Sequence, residues 1–197
     1  MATTQHSPFA HRIGRIPIRH LSPVQPENRW PSTAFVGEVV PFAATAFREG
    51  HDLIGADLVL TSPDREVTRH PMSPGAPGTD RWHADAQLEQ AGDWQWWVEA
   101  YADDWATWLH AATVKIEAGV DVELMLLAGA QLLERAIALA GTAPAAAVLT
   151  DARAAMRRTT LTPAARLAVA TDARVAGALA EHRPTSLLTQ SEYLVLR

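Results

Sequence analysis

The sequence predicts an α+β chain, an antiparallel β-sandwich of immunoglobulin-like type interrupted by an inserted three-helix bundle. Three observations predict it. Six tryptophans (Trp82, Trp94, Trp96, Trp97, Trp105 and Trp108) crowd together in strand-like alternation. Residues 121–182 then contain no Trp, Phe or Tyr, and 20 of those 62 residues are alanine, a composition that favours helix over strand. Residues 191–197 (SEYLVLR) finally return to a strand pattern. The expected organisation is a disordered N-terminus over 1–12, a β-sandwich domain built from 13–120 plus 183–197, and an inserted helical domain over 121–182.

The elements follow in order. Residues 1–12 are polar and expected to fray. Residues 13–18 alternate as an edge strand, the position that suits Pro17 because it has no N–H for a ladder. Pro23, Pro26 and Pro31 punctuate a loop. Residues 39–47 form the next strand, with Val40, Phe42, Ala44 and Ala46 on one face. Arg48-Glu49-Gly50-His51-Asp52 reads as a polar turn. Residues 56–60 are a third strand and 62–64 a turn. Residues 71–80, with three prolines and two glycines, read as a long loop.

A fourth strand spans 81–88 and a fifth 92–101, the latter with Trp94, Trp96, Val98 and Ala100 on one face. Asp103-Asp104 is expected to turn a hairpin into a sixth strand over 105–116. Asp121 then caps a first helix whose apolar stripe is Val122, Leu126, Leu133 and Ile137. Gly141-Thr142 closes it, Pro144 opens a second, and Thr162-Pro163 opens a third that runs to about Leu179. Pro184 ends the block, and 187–196 returns the chain to the sheet.

Composition excludes several function classes. The formal net charge of −5 argues against a nucleic-acid or anionic-membrane partner. Cysteine is absent, so disulfides, thiolate metal sites and a cysteine nucleophile are excluded, which fits a reducing cytoplasm. Residues 1–12 lack an apolar signal core, and no run approaches the roughly 18 apolar residues of a membrane span. A soluble cytoplasmic protein is the expectation.

The candidate chemistry is sparse. Trp94 and Trp96 suit the sandwich core. Trp97, Trp105 and Trp108 cannot all share that orientation, which makes them candidates for interface packing or for stacking on sugar rings. The helix positions Leu126, Leu133 and Ile137 are candidates for the same interface. The eight histidines show neither an i, i+4 pair nor an HExxH, so no metal is expected. Glu49, Asp52, Asp80, Asp103 and Asp104 sit at strand ends, where solvation or capping is the default reading. His51 beside Asp52 suits a structural hydrogen bond. No GxSxG, P-loop or GxGxxG is present, and no catalytic residue or cofactor is expected.

Several ordered motifs are specific when taken together. They are Ile13-Gly14-Arg15-Ile16-Pro17, Phe47-Arg48-Glu49-Gly50-His51-Asp52, Pro77-Gly78-Thr79-Asp80-Arg81-Trp82, Ala106-Thr107-Trp108, the run from Lys115 to Asp121, and Leu132-Leu133-Glu134-Arg135-Ala136. This pattern, from Ile13 to Arg197, resembles the N-terminal region of the α-1,4-glucan:maltose-1-phosphate maltosyltransferases. The resemblance makes Arg48, Glu49, His51 and Asp52 a structural turn of the family motif. It implies a bacterial, cytoplasmic member of the α-amylase superfamily that transfers maltosyl units from maltose 1-phosphate to the non-reducing end of a glucan with retention.

In that family the sandwich and its helical insertion both contribute to a homodimer, and a (β/α)8 barrel carrying the catalytic carboxylates follows. The residues here stop where that barrel would begin, so no catalytic residue carries over. Leu109, where the family tends to have a basic residue, and Asp104, where proline is common, depart from the pattern. The expected function is therefore a non-catalytic module that dimerises and supports the barrel. The alternative is a free-standing α-glucan-binding sandwich.

Overall fold

A computed structural model describes residues 15–26 and 30–197. The expected disordered segment 1–12 lies outside the described residues. Residues 13–14 of the first expected strand lie outside them too, while residues 15–17 are described but are not strand: the first strand runs from Ile18 to Ser22, later than the expected 13–18.

The chain divides into two compact units. The first comprises the described residues up to Gly50, Ile54–Ala102 and Leu187–Arg197. It contains two antiparallel sheets. One has the order β1 (Ile18–Ser22), β2 (Val39–Ala46), β6 (Arg81–Gln87), β5 (Ser73–Pro74). The other runs β4 (Val67–Pro71), β3 (Ile54–Thr61), β7 (Trp94–Asp103), β8 (Thr185–Gln190), with β9 (Leu194–Leu196) also paired to β7.

Alternation explains the shared core. Val40, Phe42, Ala44 and Ala46 are buried along β2, as the period-2 reading requires. Val40, Phe42 and Ala44 share one hydrophobic cluster with Leu58 and Leu60 of β3 and Trp96 and Val98 of β7. Phe42 meets Trp96 edge-on at 5.0 Å between ring centroids, a favoured aromatic geometry. Trp94 packs half-buried against the same cluster.

Strand β4 was not legible in the sequence. Its Thr68-Arg69-His70 centre is polar, and the strand pairs only with β3 (Leu60↔Thr68, Leu58↔His70). An edge strand with exposed positions leaves little hydrophobic signature.

The second unit comprises His51–Leu53 and Asp103–Ser186. Here the structure corrects the sequence reading. Residues expected to form a sixth strand are helix α1 (Asp104–Glu117). Asp103 does not turn a hairpin. Its Oδ1 accepts the Ala106 N–H at 2.9 Å and caps the helix. The β-favouring tryptophans obscured a helical spacing of Trp105, Trp108, Ala112 and Ile116, and helix packing overrides residue preference.

The expected three helices are five among the described residues, with α2 (Val122–Ala140), α3 (Pro144–Met156), α4 (Pro163–Ala168) and α5 (Ala173–Glu181) following α1. The expected third helix is broken by a 3-10 turn at Val169–Thr171. Asp172 adopts an extended conformation, and its side chain accepts the Arg174 N–H at 2.9 Å, which restarts the helix as α5. Thr162 caps α4 and Pro163 and Pro144 open their helices, as expected. Gly141 ends α2 at φ 56°. Asp121 stands at the N-cap of α2 in a left-handed conformation, yet its carboxylate pairs with Lys115 Nζ at 3.0 Å instead of capping.

Candidate functional site

The helical unit is organised around two tryptophans and a buried arginine. Trp105 and Trp108 lie 4.6 Å apart between ring centroids and are buried with Leu133, Leu149 and Met156 in one cluster. The Trp108 indole N–H donates to the Met125 carbonyl at 2.7 Å. Leu126 is fully buried, and Ile137 packs half-buried against the cluster. Trp105, Trp108, Leu133 and Ile137 therefore place apolar surface inside the helical unit, and Leu126 is buried as well.

Arg166, nearly inaccessible on the short helix α4, donates through Nε to the Met156 carbonyl at 2.6 Å. Its Nη1 and Nη2 donate to Glu123 at 2.6 and 3.1 Å. This bidentate pair holds the Glu123 carboxyl below the usual carboxylate range. It ties α2, α3 and α4 together.

The exposed apolar positions of this unit are elsewhere. Leu124, Leu127 and Leu139 of α2 are 59, 47 and 60% exposed, and Val114 and Val120 are also open to solvent. Leu124 falls on the helix face opposite Leu126 and Leu133 and Leu127 on its flank, so the stripe read from the sequence is the inner one.

The motif turn is polar and superficial. Arg48 is half-buried, whereas Glu49, His51 and Asp52 are exposed. Gly50 takes φ 108°, which a side chain would strain. Beyond the turn the Leu53 N–H donates to Thr107 Oγ1 at 2.8 Å and the Asp103 N–H donates to the Leu53 carbonyl at 2.9 Å. Residues 51–53 thereby join the helical unit.

On the outer face of the β3–β7 sheet, a polar and aromatic cluster surrounds Glu99, which is 8% exposed. The Trp97 indole N–H donates to Glu99 Oε1 at 3.1 Å, and the Arg69 guanidinium forms an ion pair with the same carboxylate. The hydrogen bond to Glu99 raises the Arg69 pKa, with burial opposing it. Trp97 also meets Tyr193 edge-on at 4.9 Å. Tyr101 donates to Asp57 Oδ1 at 3.3 Å, and its ring occupies the space a side chain on Gly55 would need. Trp97 thus faces away from the cluster that holds Trp96 and Val98, as alternation required, and is covered by its own neighbours.

A cleft of about 370 Å³ opens where β9 runs beside the loop after β1. Its walls include Pro23, Trp30, Pro31, Glu192, Tyr193 and Arg197. Trp30 is 72% exposed, and Phe35 nearby in sequence is 84% exposed. The walls are joined by backbone hydrogen bonds from Arg197 N–H to the Ser32 carbonyl (2.8 Å) and from Ala34 N–H to the Arg197 carbonyl (2.9 Å). Arg197 donates to both oxygens of Asp93 at 2.7 and 2.9 Å, which lowers the Asp93 pKa. Sequence reasoning passed over Trp30 because it stands outside the tryptophan cluster, among prolines. An isolated Trp in a loop without alternation was the available signal.

Among the described residues no group of three or more His, Cys, Asp or Glu could hold a metal ion, and no helix is long and apolar enough to cross a membrane.

Residues 14–197 match the family described as α-1,4-glucan:maltose-1-phosphate maltosyltransferase, domain N/S. The chain is 42% identical over 185 residues to α-1,4-glucan:maltose-1-phosphate maltosyltransferase 2 of Streptomyces coelicolor, covering 93% of this chain and 28% of that relative. Maltosyltransferase 1 of the same organism is also 42% identical over 185 residues, covering 93% of this chain and 27% of the relative. The enzyme of Corynebacterium pseudotuberculosis is 35% identical over 182 residues, covering 91% of this chain and 27% of the relative. The chain thus spans less than a third of the length of these relatives. With the family pattern extending through both the sheets and the helices, the chain belongs to the α-1,4-glucan:maltose-1-phosphate maltosyltransferase family, as its N/S domain.

Proposed function

We propose that this chain is the non-catalytic N-terminal module of a maltosyltransferase that elongates α-1,4-glucan from maltose 1-phosphate. The observation that carries the reading is the match of residues 14–197 to the N/S domain alone. Its work is to dimerise and to support a catalytic barrel. The first unit is read as an immunoglobulin-like sandwich. Supporting this, the order β1-β2-β6-β5 in one sheet and β3-β7-β8 in the other corresponds to the ABED and CFG strands of that fold. The helical unit then stands in the connection between the last two of those strands.

The exposed leucines Leu124, Leu127 and Leu139 supply an apolar face suited to a second copy, since large apolar side chains gathered on an exposed face mark interaction surfaces. A cytoplasmic location fits the absence of cysteine.

The test is the intact mass of the native polypeptide in its source cells, captured with an antibody to this module. A product far heavier than 21.4 kDa that transfers maltosyl units supports the reading, and a product at that mass overturns it in favour of a free-standing glucan-binding module. The observation favouring that second reading is the solvent-facing indole of Trp30.

A further inference from the structure

We propose that the helical unit is latched at its two ends by a polar clasp centred on Arg135, and that this clasp sets how readily the whole helical unit opens while the sheet-bearing unit stays folded. Each unit carries a core of its own. The buried members of the helical cluster all lie between Trp105 and Leu179. Those of the sheet clusters come from residues 16–100 and Leu196. A block of chain with its own core opens as one cooperative step, because its burial is lost together. The bonds that tie the ends of such a block then govern its opening.

Here the ends are tied to each other and to α2. Asp104 begins α1, and Ser186 closes the unit 82 positions later. The Ser186 hydroxyl donates to Asp104 Oδ1 at 2.7 Å. Arg135 on α2 spans both ends, with Nη1 donating to Asp104 Oδ2 at 2.7 Å and Nη2 donating to the Thr185 carbonyl at 3.0 Å. Asp103 repeats the arrangement one residue earlier. One of its carboxylate oxygens caps α1, and the other pairs with Arg183 at 3.5 Å.

The clasp is built to hold. The Asp104 side chain is only 22% exposed, and both of its oxygens are taken, so it is bound more firmly than a carboxylate in an open surface ion pair. The carboxylate and the carbonyl are reached by two nitrogens of one planar group, a fork that a lysine ammonium does not supply. The residue after the clasp is under strain. Leu187 takes φ 55°, a left-handed conformation that a branched side chain rarely adopts and that persists only where its surroundings impose it. The bond from Ser186 to Asp104 fixes the residue immediately before it. The clasp therefore holds shut a joint that relaxes when released.

The test is amide hydrogen exchange of the full chain, read by mass spectrometry on peptides under native conditions. In Arg135→Met the amides of α1, α2, α3 and α5 are expected to exchange together about tenfold faster, the scale of losing a hydrogen bond between charged groups, while those of β2, β3 and β7 keep their rates. Arg135→Lys, which keeps the charge and loses the fork, is expected to fall between the two. Asp93→Asn, which weakens an ion pair of the sheet-bearing unit, is expected to leave the helical rates unchanged. Equal acceleration of the β2, β3 and β7 amides in Arg135→Met overturns the proposal, because the two units then open as one. Acceleration confined to residues 103–107 and 183–186 overturns it as well, because the bonds then act only locally, and so do unchanged rates throughout. Should Arg135→Met fail to fold, Ser186→Ala removes a single bond of the clasp and is read by the same outcomes at a smaller acceleration. None of these outcomes bears on the family reading, whose own failure appears in the mass of the native polypeptide.

Discussion

Trp108 lies directly over Gly129. A Cβ at that glycine would come within 2.1 Å of the indole, so α1 and α2 approach at a point where no other residue fits. Gly129→Ala therefore sets two effects against each other. Alanine favours the helix by about 1 kcal/mol, whereas forcing the packed indole aside costs about 1–3 kcal/mol. A net destabilisation is expected in urea unfolding. Gly177 in α5 is the contrast, because a Cβ there would meet nothing within 4 Å. Gly177→Ala is expected to stabilise by about 0.5–1 kcal/mol. If both variants shift stability the same way, the close approach at Gly129 is not what sets its cost.

Leu133 and Leu124 separate core from surface on one helix. Leu133 is fully buried, so Leu133→Ala is expected to cost about 2–5 kcal/mol, and Leu133→Asp to unfold the helical unit. The exposed pair Leu124→Asp with Leu127→Asp is expected to leave the melting transition in place and to convert a dimer into a monomer in sedimentation. An unchanged oligomeric state would remove this face of α2 from the proposed interface.

Glu99 holds two partners on the outer sheet face. Glu99→Ala leaves the Trp97 indole N–H without its acceptor and takes the carboxylate away from Arg69. The expected cost is about 1–3 kcal/mol, the range for stranding a buried polar group. Glu99→Gln keeps an acceptor for the indole and is expected to lose less. Equal losses in the two variants would mean that packing, and not the hydrogen bond, sets the effect.

Acid is expected to destabilise the chain through carboxylates bound to arginines. Glu123 beside Arg166, Asp93 beside Arg197 and Asp172 beside Arg174 all have pKa values lowered by those hydrogen bonds. A carboxylate depressed in the folded state contributes stability that is present above its unfolded pKa, about 4. That stability is lost as pH falls through the lower folded value. Unfolding curves collected from neutral pH downward should therefore decline below about pH 4, and Glu123→Gln should flatten that decline. A variant with an unchanged acid profile would exclude the Glu123 pair as a contributor.

Much of the architecture was legible. Period-2 alternation marked β2 and β7, because successive side chains of a strand point to opposite faces, and residues 56–60 and 81–88 also read as strands. Pro144, Thr162-Pro163 and Gly141 marked helix ends, because their backbone chemistry acts locally. The alanine-rich composition of residues 121–182 announced helices for the same reason. Helix α1 was not legible as helix, since Trp105 and Trp108 carry strand preference. What overrides that preference is an Asp103 cap and burial against α2, a separate helix whose packing no local pattern announces. The break at Asp172 and the edge strand β4 were missed because a side-chain cap competes with helix continuation, and because an edge strand has little apolar face.

For the candidate sites the division is sharper. Sequence by itself determined the family, the two kinds of secondary structure and the inward stripe of α2, since these follow from local periodicity and ordered motifs. Only the tertiary structure decided which tryptophan faces solvent. Exposure is a property of what the rest of the chain places over a side chain. Trp97 is covered by Tyr193 and Glu99, and Trp108 is fitted over Gly129, while Trp30 stands open beside residues more than 150 positions away. No short-range pattern encodes that arrangement, because the contacts that create or withhold burial join residues that are neighbours only after folding.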